Sequence, residues 1–567
     1  MEMKTLSQDN THCLQKIEQL HVLRLYGKPQ QRARTHGELI SKGFLSRGNL
    51  ELFNALLTRG LTPGSLRYRL TDQFLNSLTQ WVLKAAPDDY KLETKVMAEA
   101  LKVSPLRLRR ALLLPDIASY SWALLSKQGK NLPPTVGCTS AVYTDSQGRF
   151  LYGRNLDFPG SPAYDRNPLL IIHQPDSSSS ELQHASVGTH GLQFSGITGF
   201  NEAGLTFCVH QNYTRLLSIR GVPMPFVGEQ VLRYARNLKE ALQIIRENRP
   251  GPLWSFVVTD THKGHAMVVD VSNTQLKVRY KESSPFIQTN HLLDSTLRQN
   301  SSLLEAGTAS NSAFRFQKAQ ETLKSWGTPE PHDMAQLLSW QKSRKFFSSI
   351  SDVQKSLTIQ SVMFQKDDLK GIFNFYVTID SAPAPSGRWL KIPIQKIWTH
   401  KPIDQSELEI HQFTKLTSEE RKRQLQWADL YADESMRNYS EVVKKLAPLA
   451  NSPDSFLALS SMQLKNKQLP DSLSSAQCGL QICTNETQPL IHQGLLWMEI
   501  VGYWHLKKRK EVTLKTQAFL KLSVQDPELL KQAQRVLKKK RPSTASLSPG
   551  FDFFGGYLQG MPSRSIS

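Results

Sequence analysis

Cysteines are few in this chain of 567 residues, and acidic residues are outnumbered by basic ones. The five cysteines are an odd number at wide spacing, and no pair has the Cys-x-x-Cys pattern, which argues against a disulfide framework and a cysteine-based zinc site. The sequence therefore predicts a reducing compartment, no metal and no cofactor. There are 49 Asp and Glu against 70 Lys and Arg, a formal net charge of +21, which favours acidic partners or a basic, solubilising surface.

Long apolar runs are also missing. No uncharged apolar stretch approaches the roughly 18 residues that span a bilayer, and the first residues lack the apolar core of a signal peptide. We therefore expect a cytoplasmic protein, while export by a route that needs no signal peptide stays open. Glycine-rich phosphate loops, HExxH and GxSxG are absent, which leaves phosphoryl transfer, hydride transfer, zinc proteolysis and serine esterase chemistry without support.

The pattern of apolar residues changes along the chain. Residues 1–137 are predicted to be mostly helical, and residues 138–400 alternate short strand-like runs with helices, which is typical of a layered α/β or α+β domain. Residues 405–542 predict helical hairpins about 34 residues apart, which fits tetratricopeptide-type repeats and a plain helical bundle about equally. The tail, residues 543–567, is rich in Ser, Gly and Pro and is predicted to be disordered.

One thiol stands at the start of a strand-turn-strand segment, Gly137–Phe158. A lone cysteine is most often a small buried apolar residue. Here, however, the predicted turn at 145–148 would return the chain antiparallel and bring Arg154 and Asp157 level with Cys138 or just beyond it. An arginine near a thiol favours the thiolate, and an aspartate can hold a cationic amine, so the segment predicts a polar site.

Two bases for this thiol are open. A papain-like dyad needs a histidine, and His184, His190 and His210 are available without a recognisable context. Alternatively, cleavage of the Gly137–Cys138 bond would give Cys138 a free α-amine, whose pKa of about 7.7–8.0 allows it to accept the thiol proton. The proline-marked connector, residues 131–137, would then carry the cleaved bond.

These residues resemble a known class of enzymes. Cys138-Thr139-Ser140 followed by the segment Gly153–Phe158 resembles the N-terminal-nucleophile cysteine amidases, which include choloylglycine hydrolases, acid ceramidase and N-acylethanolamine acid amidase. The wider chain is most similar to the related acyl-CoA:6-aminopenicillanate acyltransferases. The further motifs that carry this similarity are Gly27–Ile40, Gly199–Phe207, Gln288–Asp294 and Ser312–Gln320. The resemblance spans about residues 20–400 and implies a four-layer αββα sandwich, an α+β fold, with the C-terminal helical region outside it.

The resemblance also implies roles for single residues. The residues that it assigns are Cys138 as nucleophile, Arg154 and Asp157 as the polar pair beside it, Asn290 as the oxyanion-hole donor, Arg315 as an arginine that faces the site, and Asn212 as a weaker match in substrate binding. A simple turn role for Asn290 and a surface position for Arg315 are the alternatives.

We therefore predict an autoprocessed amidohydrolase that cleaves a linear, non-peptide carbon–nitrogen amide bond through an acyl-thioester on Cys138. Its substrate would be a small or lipid-like acyl amide. Acyl transfer to an amine is one alternative, and a non-catalytic helical-repeat interaction protein with a relic hydrolase domain is another. A protein partner and an anionic membrane surface are both open for the C-terminal region. The basic runs 507–510 and 538–541 come without a nucleic-acid-binding module, so no specific nucleic acid is expected.

Overall fold

The computed structural model describes most of the chain. The described residues are 1–58, 61–126, 137–158, 166–192, 197–212, 214, 218, 220–281, 285–301, 306–341, 352–487, 489–522, 527–538, 551–552 and 557–558. Residues 131–136 of the connector, residues 539–541 of the second basic run and nearly all of the tail lie outside the described residues, so the predictions made for them stay predictions.

Two β-sheets form the centre of the protein. The strands of the larger sheet are β1 (Met3–Gln8), β2 (His12–Ile17), β3 (Leu20–Tyr26), β6 (Pro168–Gln174), β7 (His184–Thr189), β8 (Thr198–Asn201), β9 (Leu205–Gln211), β10 (Trp254–Asp260), β11 (His265–Val271) and β12 (Leu276–Lys281), in this spatial order. The strands of the smaller sheet, in spatial order, are β13 (Phe286–Gln288), β4 (Gly137–Thr144), β5 (Phe150–Asp157), β14 (Thr358–Asp367), β15 (Ile372–Thr378), β16 (Trp389–Pro393) and β17 (Glu409–His411). Neighbouring strands are antiparallel except β3 and β6, which are parallel.

Helices precede, interrupt and follow the strands. The helices of the first part are α1 (Pro29–Ser41), α2 (Gly48–Leu57), α3 (Leu66–Leu83), α4 (Asp88–Leu101), α5 (Pro105–Leu112) and α6 (Leu114–Ser126). Those among the strands are α7 (Met224–Tyr234), α8 (Leu238–Glu247), α9 (Ser295–Ser301), α10 (Ala306–Lys324), α11 (Pro331–Leu338) and α12 (Ile394–Ile397). Those of the C-terminal part are α13 (Ser418–Ser435), α14 (Tyr439–Leu446), α15 (Pro453–Lys465), α16 (Leu469–Gln481), α17 (Pro489–His505), α18 (Arg509–Leu520) and α19 (Pro527–Leu537).

The two sheets share one apolar core. Val142 and Phe364 of the smaller sheet lie in the same buried cluster as Val257 and Val268 of the larger sheet. The residues that alternate with these point the other way because successive side chains of a strand face opposite sides. On the larger sheet they pack under α7 and α8, and on the smaller sheet under α10 and α11. The expected mixed α/β organisation, with two sheets and many helices, is confirmed.

The first 26 residues correct one prediction. Residues 1–137 were expected to be mostly helical, but β1, β2 and β3 begin the chain and extend the larger sheet. Short-range periodicity conceals the tight turn between β2 and β3, because that turn has Glu18 at a positive φ of 53° where glycine or asparagine is usual. The remainder of this segment is helical, as expected.

The C-terminal helices form consecutive hairpins around a core of their own. The helices that open successive hairpins begin at Ser418, Pro453 and Pro489, so that the intervals are 35 and 36 residues. The turns inside the three hairpins contain Arg437, Lys467 and Lys507, each at a φ between 60° and 65°. The same turn thus recurs at nearly the same spacing.

The C-terminal region, residues 405–542, contacts the rest of the protein in several places. Strand β17 lies within residues 405–542, for which the sequence predicts helical hairpins, yet it belongs to the smaller sheet, which corrects that prediction for residues 409–411. Arg421 of α13 donates hydrogen bonds to the backbone carbonyls of Ser381 and Pro383, at 2.7 and 3.0 Å.

Across the described part of the chain, no helix is both long enough and apolar enough to cross a membrane.

Candidate active site

The β4–β5 hairpin carries the cysteine and two of its predicted neighbours. The cross-strand pairs are Gly137 with Asp157, Cys138 with Leu156, and Ser140 with Arg154. The expectation that the returning strand brings Arg154 and Asp157 level with Cys138 is confirmed. The turn forms locally, because the Asp145 carboxylate accepts hydrogen bonds from the backbone of Gln147 and Arg149, and Gly148 adopts a φ of 78°.

Arg154 is buried and lies against the thiol. Its Nη2 is 3.5 Å from the Sγ of Cys138 and donates to the carbonyl of Val209 at 2.9 Å. Its Nη1 donates to the carbonyl of Ile197 and to the Oγ1 of Thr198. Three acceptors, two in the larger sheet and one immediately before β8, therefore hold the guanidinium and its charge beside the sulfur.

Asn290 contacts the backbone nitrogen of the cysteine. The N–H of Cys138 donates to Asn290 Oδ1 at 2.7 Å, and Arg315 Nη2 donates to the same oxygen at 2.9 Å. Asn290 Nδ2 donates to the carbonyl of Gln211 at 3.1 Å. The opposite amide orientation would turn the NH₂ group toward two donors and the oxygen toward a carbonyl, so the contacts themselves define this orientation.

Arg315 holds the other side of the cysteine backbone. Its Nη1 donates to the carbonyl of Cys138 and, at 2.9 Å, to the Oγ1 of Thr139. Its Nε donates to Asn311 one helical turn earlier in α10, at 2.9 Å. Arg315 is only 1% exposed, so the alternative of a surface helix residue is wrong.

Asp157 forms a buried ion pair that the sequence analysis missed. Its Oδ2 lies 3.4 Å from Lys355 Nζ, and both side chains are fully buried. Its Oδ1 accepts a hydrogen bond from the Oγ1 of Thr358 at 2.7 Å. A side chain at Gly137 would meet this pair, since a Cβ there would lie 2.5 Å from Asp157 Oδ2 and 3.0 Å from Lys355 Nζ. The Asp157 carboxylate is thus directly beside the Gly137–Cys138 peptide.

Its buried surroundings favour the protonated form of the Cys138 thiol. Burial raises the pKa of the Cys138 thiol, and the charge and hydrogen bond of Arg154 oppose this rise. Among the described residues, no histidine hydrogen-bonds to Cys138. His210 instead contacts the Oγ of Ser140 at 2.9 Å. Burial, followed by the charges of Arg154 and Arg315, lowers the pKa of His210 well below its usual value.

Among the described residues, Asn212 makes no hydrogen bond to this group. Its Nδ2 donates to Ser255 Oγ at 2.7 Å on the neighbouring strand. The structure therefore brings together five of the six predicted residues, Cys138, Arg154, Asp157, Asn290 and Arg315. It adds Lys355, Thr358 and Asn311, for which the sequence offers no local signal because each lies far from Cys138 along the chain.

The site thus consists of a buried cysteine, Cys138, at the end of the smaller sheet, with Arg154 beside its thiol and Arg315 beside its backbone. Residues 143–373 match the family model of acyl-coenzyme A:6-aminopenicillanic acid acyl-transferase, so the resemblance drawn from the sequence is confirmed. The match begins five residues after Cys138. This part of the chain is therefore similar to a family of acyltransferases.

Two further comparisons complete this result. A solved structure of a Caenorhabditis elegans ortholog of N-acylethanolamine-hydrolyzing acid amidase is similar over 40% of this chain and 92% of that chain. Its sequence identity is 17% and its TM-score is 0.29. No curated protein matches the chain.

Proposed function

We propose that this protein is an N-terminal-nucleophile amidohydrolase that cleaves itself before Cys138 and then hydrolyses linear acyl amides through a thioester on that residue. The observation that carries the proposal is the position of the Cys138 backbone nitrogen, 2.7 Å from Asn290 Oδ1 and next in the chain to Gly137, which abuts the Asp157 carboxylate. A nitrogen so placed becomes a fixed α-amine when the preceding bond is cut.

Self-cleavage follows from this placement. The Sγ of Cys138 attacks the carbonyl carbon of Gly137, the carbon–nitrogen bond breaks, and the nitrogen of Cys138 takes up the thiol proton as it becomes an amine. Water then hydrolyses the resulting thioester, which leaves a carboxylate on Gly137 and a free thiol on Cys138. Asp157 lies beside the new amine, where its negative charge favours the ammonium form.

Substrate turnover repeats the same proton transfers. The α-amine accepts the thiol proton, and the thiolate attacks the substrate carbonyl while Arg154 stabilises the negative sulfur. The ammonium then gives its proton to the departing amine, and water releases the acid from the thioester. Asn290 Nδ2 carries a second hydrogen besides the one that it donates to Gln211, and we assign this hydrogen to the developing oxyanion.

The two fragments would stay together after cleavage. Strand β3 of the first fragment pairs along its length with β6 of the second. The buried carboxylate of Glu93 also binds both terminal nitrogens of Arg233, at 2.7 and 2.8 Å. Each contact joins a residue before Gly137 to a residue after it and does not depend on the Gly137–Cys138 bond. Cleavage of that bond therefore breaks neither contact.

We also propose the four-layer αββα arrangement for residues 1–411, since helices cover the outer faces of both packed sheets.

For the C-terminal hairpins we propose tetratricopeptide-like repeats, which the recurring positive-φ turns support. Their role is to dock a partner with an acidic surface, because Lys507, Lys508, Arg509 and Lys510 are exposed together at one of these turns. Binding of anionic vesicles to the full chain, but no acidic protein partner, would contradict this role.

The intact mass of the purified chain tests the central proposal. We expect two associated fragments, residues 1–137 and 138–567, whereas Cys138→Ala remains a single chain. The wild-type protein should hydrolyse members of an acyl-amide panel that includes fatty-acid, bile-salt and peptide-like amides. An active protein with an intact Gly137–Cys138 bond would contradict the mechanism. Product analysis with an added amine separates hydrolysis from acyl transfer, because transfer gives a new amide in place of the free acid.

A further inference from the structure

A second buried cluster of titratable residues lies in the larger sheet. His173 of β6 and His184 of β7 are directly paired across the two strands, and Glu229 projects from α7 beside them. One nitrogen or oxygen of each residue lies within 4.8 Å of the other two, and all three residues are buried. The imidazole rings are stacked, with centroids 4.6 Å apart and planes inclined by 12°.

The two ring nitrogens of His184 both face acceptor oxygens, although the neutral ring has only one N–H to donate. Nδ1 lies 2.9 Å from the carbonyl of Leu182, an acceptor, so this nitrogen carries the proton of the neutral ring. Nε2 then has a lone pair, and it faces Glu229 Oε1 at 3.2 Å. Two lone pairs at this distance repel each other unless a proton or a metal cation lies between them.

His173 adds an independent observation. It is fully buried, and neither of its ring nitrogens has a hydrogen-bond partner. Buried polar nitrogens without a partner are uncommon because their desolvation is uncompensated. A proton shared by His184 and Glu229 would explain their contact but not the two nitrogens of His173, whereas a cation bound by all three residues explains both.

We propose that His173, His184 and Glu229 bind one divalent transition-metal cation, with zinc as the best match to two imidazoles and a carboxylate. Ligands of a tetrahedral zinc ion at about 2.0–2.2 Å are separated by roughly 3.3 Å, which is close to the contact between His184 and Glu229. His173 closes the site by moving inward by at most roughly 1.5 Å. A water molecule completes the four ligands.

The surroundings have the features of a metal site. The Leu182 carbonyl fixes the tautomer of His184 that leaves Nε2 for the metal, and Arg233 Nε holds the Glu229 oxygen at 2.8 Å. A polar pocket of about 810 Å³ lies over the ends of β6 and β7, and its lining includes Gln174 and Leu182. A hydrated cation can therefore reach the end of the sheet that holds the cluster.

The proposed site is separate from Cys138. Strand β8 pairs with His184 at Asn201, whereas Arg154 contacts Thr198, three residues earlier in the same strand. At about 3.3 Å per residue, this places the two sites roughly 10 Å apart along the strand direction alone. The metal thus stabilises the attachment of α7 to the sheet, and the cysteine chemistry proceeds without it.

Metal content and thermal stability of the full chain test this assignment. The protein is stripped with a chelator, loaded with zinc chloride and passed over a desalting column. We expect one zinc per chain, a higher Tm on zinc addition, and visible absorption typical of a tetrahedral site when cobalt replaces zinc. His173→Leu should retain less than a tenth of the zinc and lose the zinc-dependent rise in Tm.

A matched control is His36→Leu, because His36 is equally buried and also has two unpartnered ring nitrogens but lies outside the cluster. It should bind zinc as the wild type does. The zinc-free Tm of His173→Leu should equal or exceed that of the zinc-free wild type, since the substitution removes two unsatisfied polar atoms. A wild-type protein that retains no zinc, or a His173→Leu protein that retains as much, would overturn the proposal.

Discussion

Asp157 Oδ2 and Lys355 Nζ lie 3.4 Å apart, and water reaches neither side chain. Before cleavage, Lys355 is the cation that balances the charge of Asp157. After the proposed cleavage, the α-ammonium of Cys138 becomes a second cation beside the same carboxylate. Asp157 therefore has two roles: it forms a buried ion pair in the uncleaved chain, and after cleavage it favours the protonated α-amine of Cys138.

Replacement of Asp157 by asparagine should abolish both self-cleavage and turnover. It should also lower the free energy of unfolding by about 3–5 kcal/mol, because the substitution breaks the buried ion pair with Lys355. The double variant Asp157→Asn/Lys355→Met should recover most of the stability but no activity. Urea unfolding measures the change in stability, and the rates of self-cleavage and of substrate turnover measure the change in activity. Recovered activity in the double variant would show that Asp157 has no part in the mechanism.

Two substitutions at Asn290 separate its two contacts. Asn290→Ala should lower kcat by about 10²–10³-fold, the usual effect of losing an oxyanion donor. Asn290→Asp keeps an oxygen for the Cys138 nitrogen and for Arg315 but has no N–H to donate. We expect a similar loss in this variant. Near-normal kcat in Asn290→Asp would show that the residue only orients the amine.

A side chain at Gly137 should affect processing and not catalysis. Gly137→Ala places a methyl group against Asp157 and Lys355, so self-cleavage should slow by about tenfold or more, equivalent to roughly 1.4 kcal/mol in the barrier. Once cleaved, the protein should turn over substrate at the wild-type rate, because residue 137 is then no longer bonded to Cys138. Gly188→Ala, where a Cβ meets nothing within 4 Å, should process normally. Equal processing rates in the two variants would contradict this steric argument.

Buried histidines should make the protein less stable in acid. Burial lowers the pKa of His36 to about 4, below an unfolded value of about 6.5, so the unfolded chain binds this proton first as the pH falls. The stability contribution of neutral His36 is present above pH 6.5 and is lost between pH 6.5 and 4, by on the order of 3 kcal/mol.

His36→Leu should therefore reduce the acid slope of the unfolding free energy by about 1.4 kcal/mol per pH unit in that window. Urea unfolding at several pH values measures this slope. An unchanged slope in His36→Leu would show that this histidine titrates equally in both states.

The C-terminal hairpins should support the candidate site. Leu357 packs in their apolar core, its carbonyl accepts a hydrogen bond from Phe158, and the next residue, Thr358, binds Asp157. A chain that ends at residue 412 should lose about 10²-fold in turnover, because small misplacements of catalytic groups have effects of this size. A chain that ends at residue 538 should keep wild-type activity, and equal activity of both truncated chains would contradict this link.

The hairpin at Cys138 was predictable because its contacts are local. The turn residues at 145–148 and the alternation on either side define the register, and the register aligns Arg154 and Asp157 with the cysteine. The Asn290 and Arg315 motifs were predictable only as a resemblance, since nothing in their own spacing indicates that both contact one peptide. The first three strands escaped prediction because the turn between β2 and β3 has none of the usual turn residues.

Sheet pairing and helix docking, by contrast, brought together the groups that no local pattern connects. Thr358 reaches Asp157 across 201 residues of chain, and Arg315 reaches Cys138 across 177. Lys355 and the His173, His184 and Glu229 cluster arise in the same way. A residue's periodicity reports only which face of its own helix or strand it occupies. Which other element covers that face depends on the packing of the whole chain, and that packing created the buried ion pair beside the nucleophile.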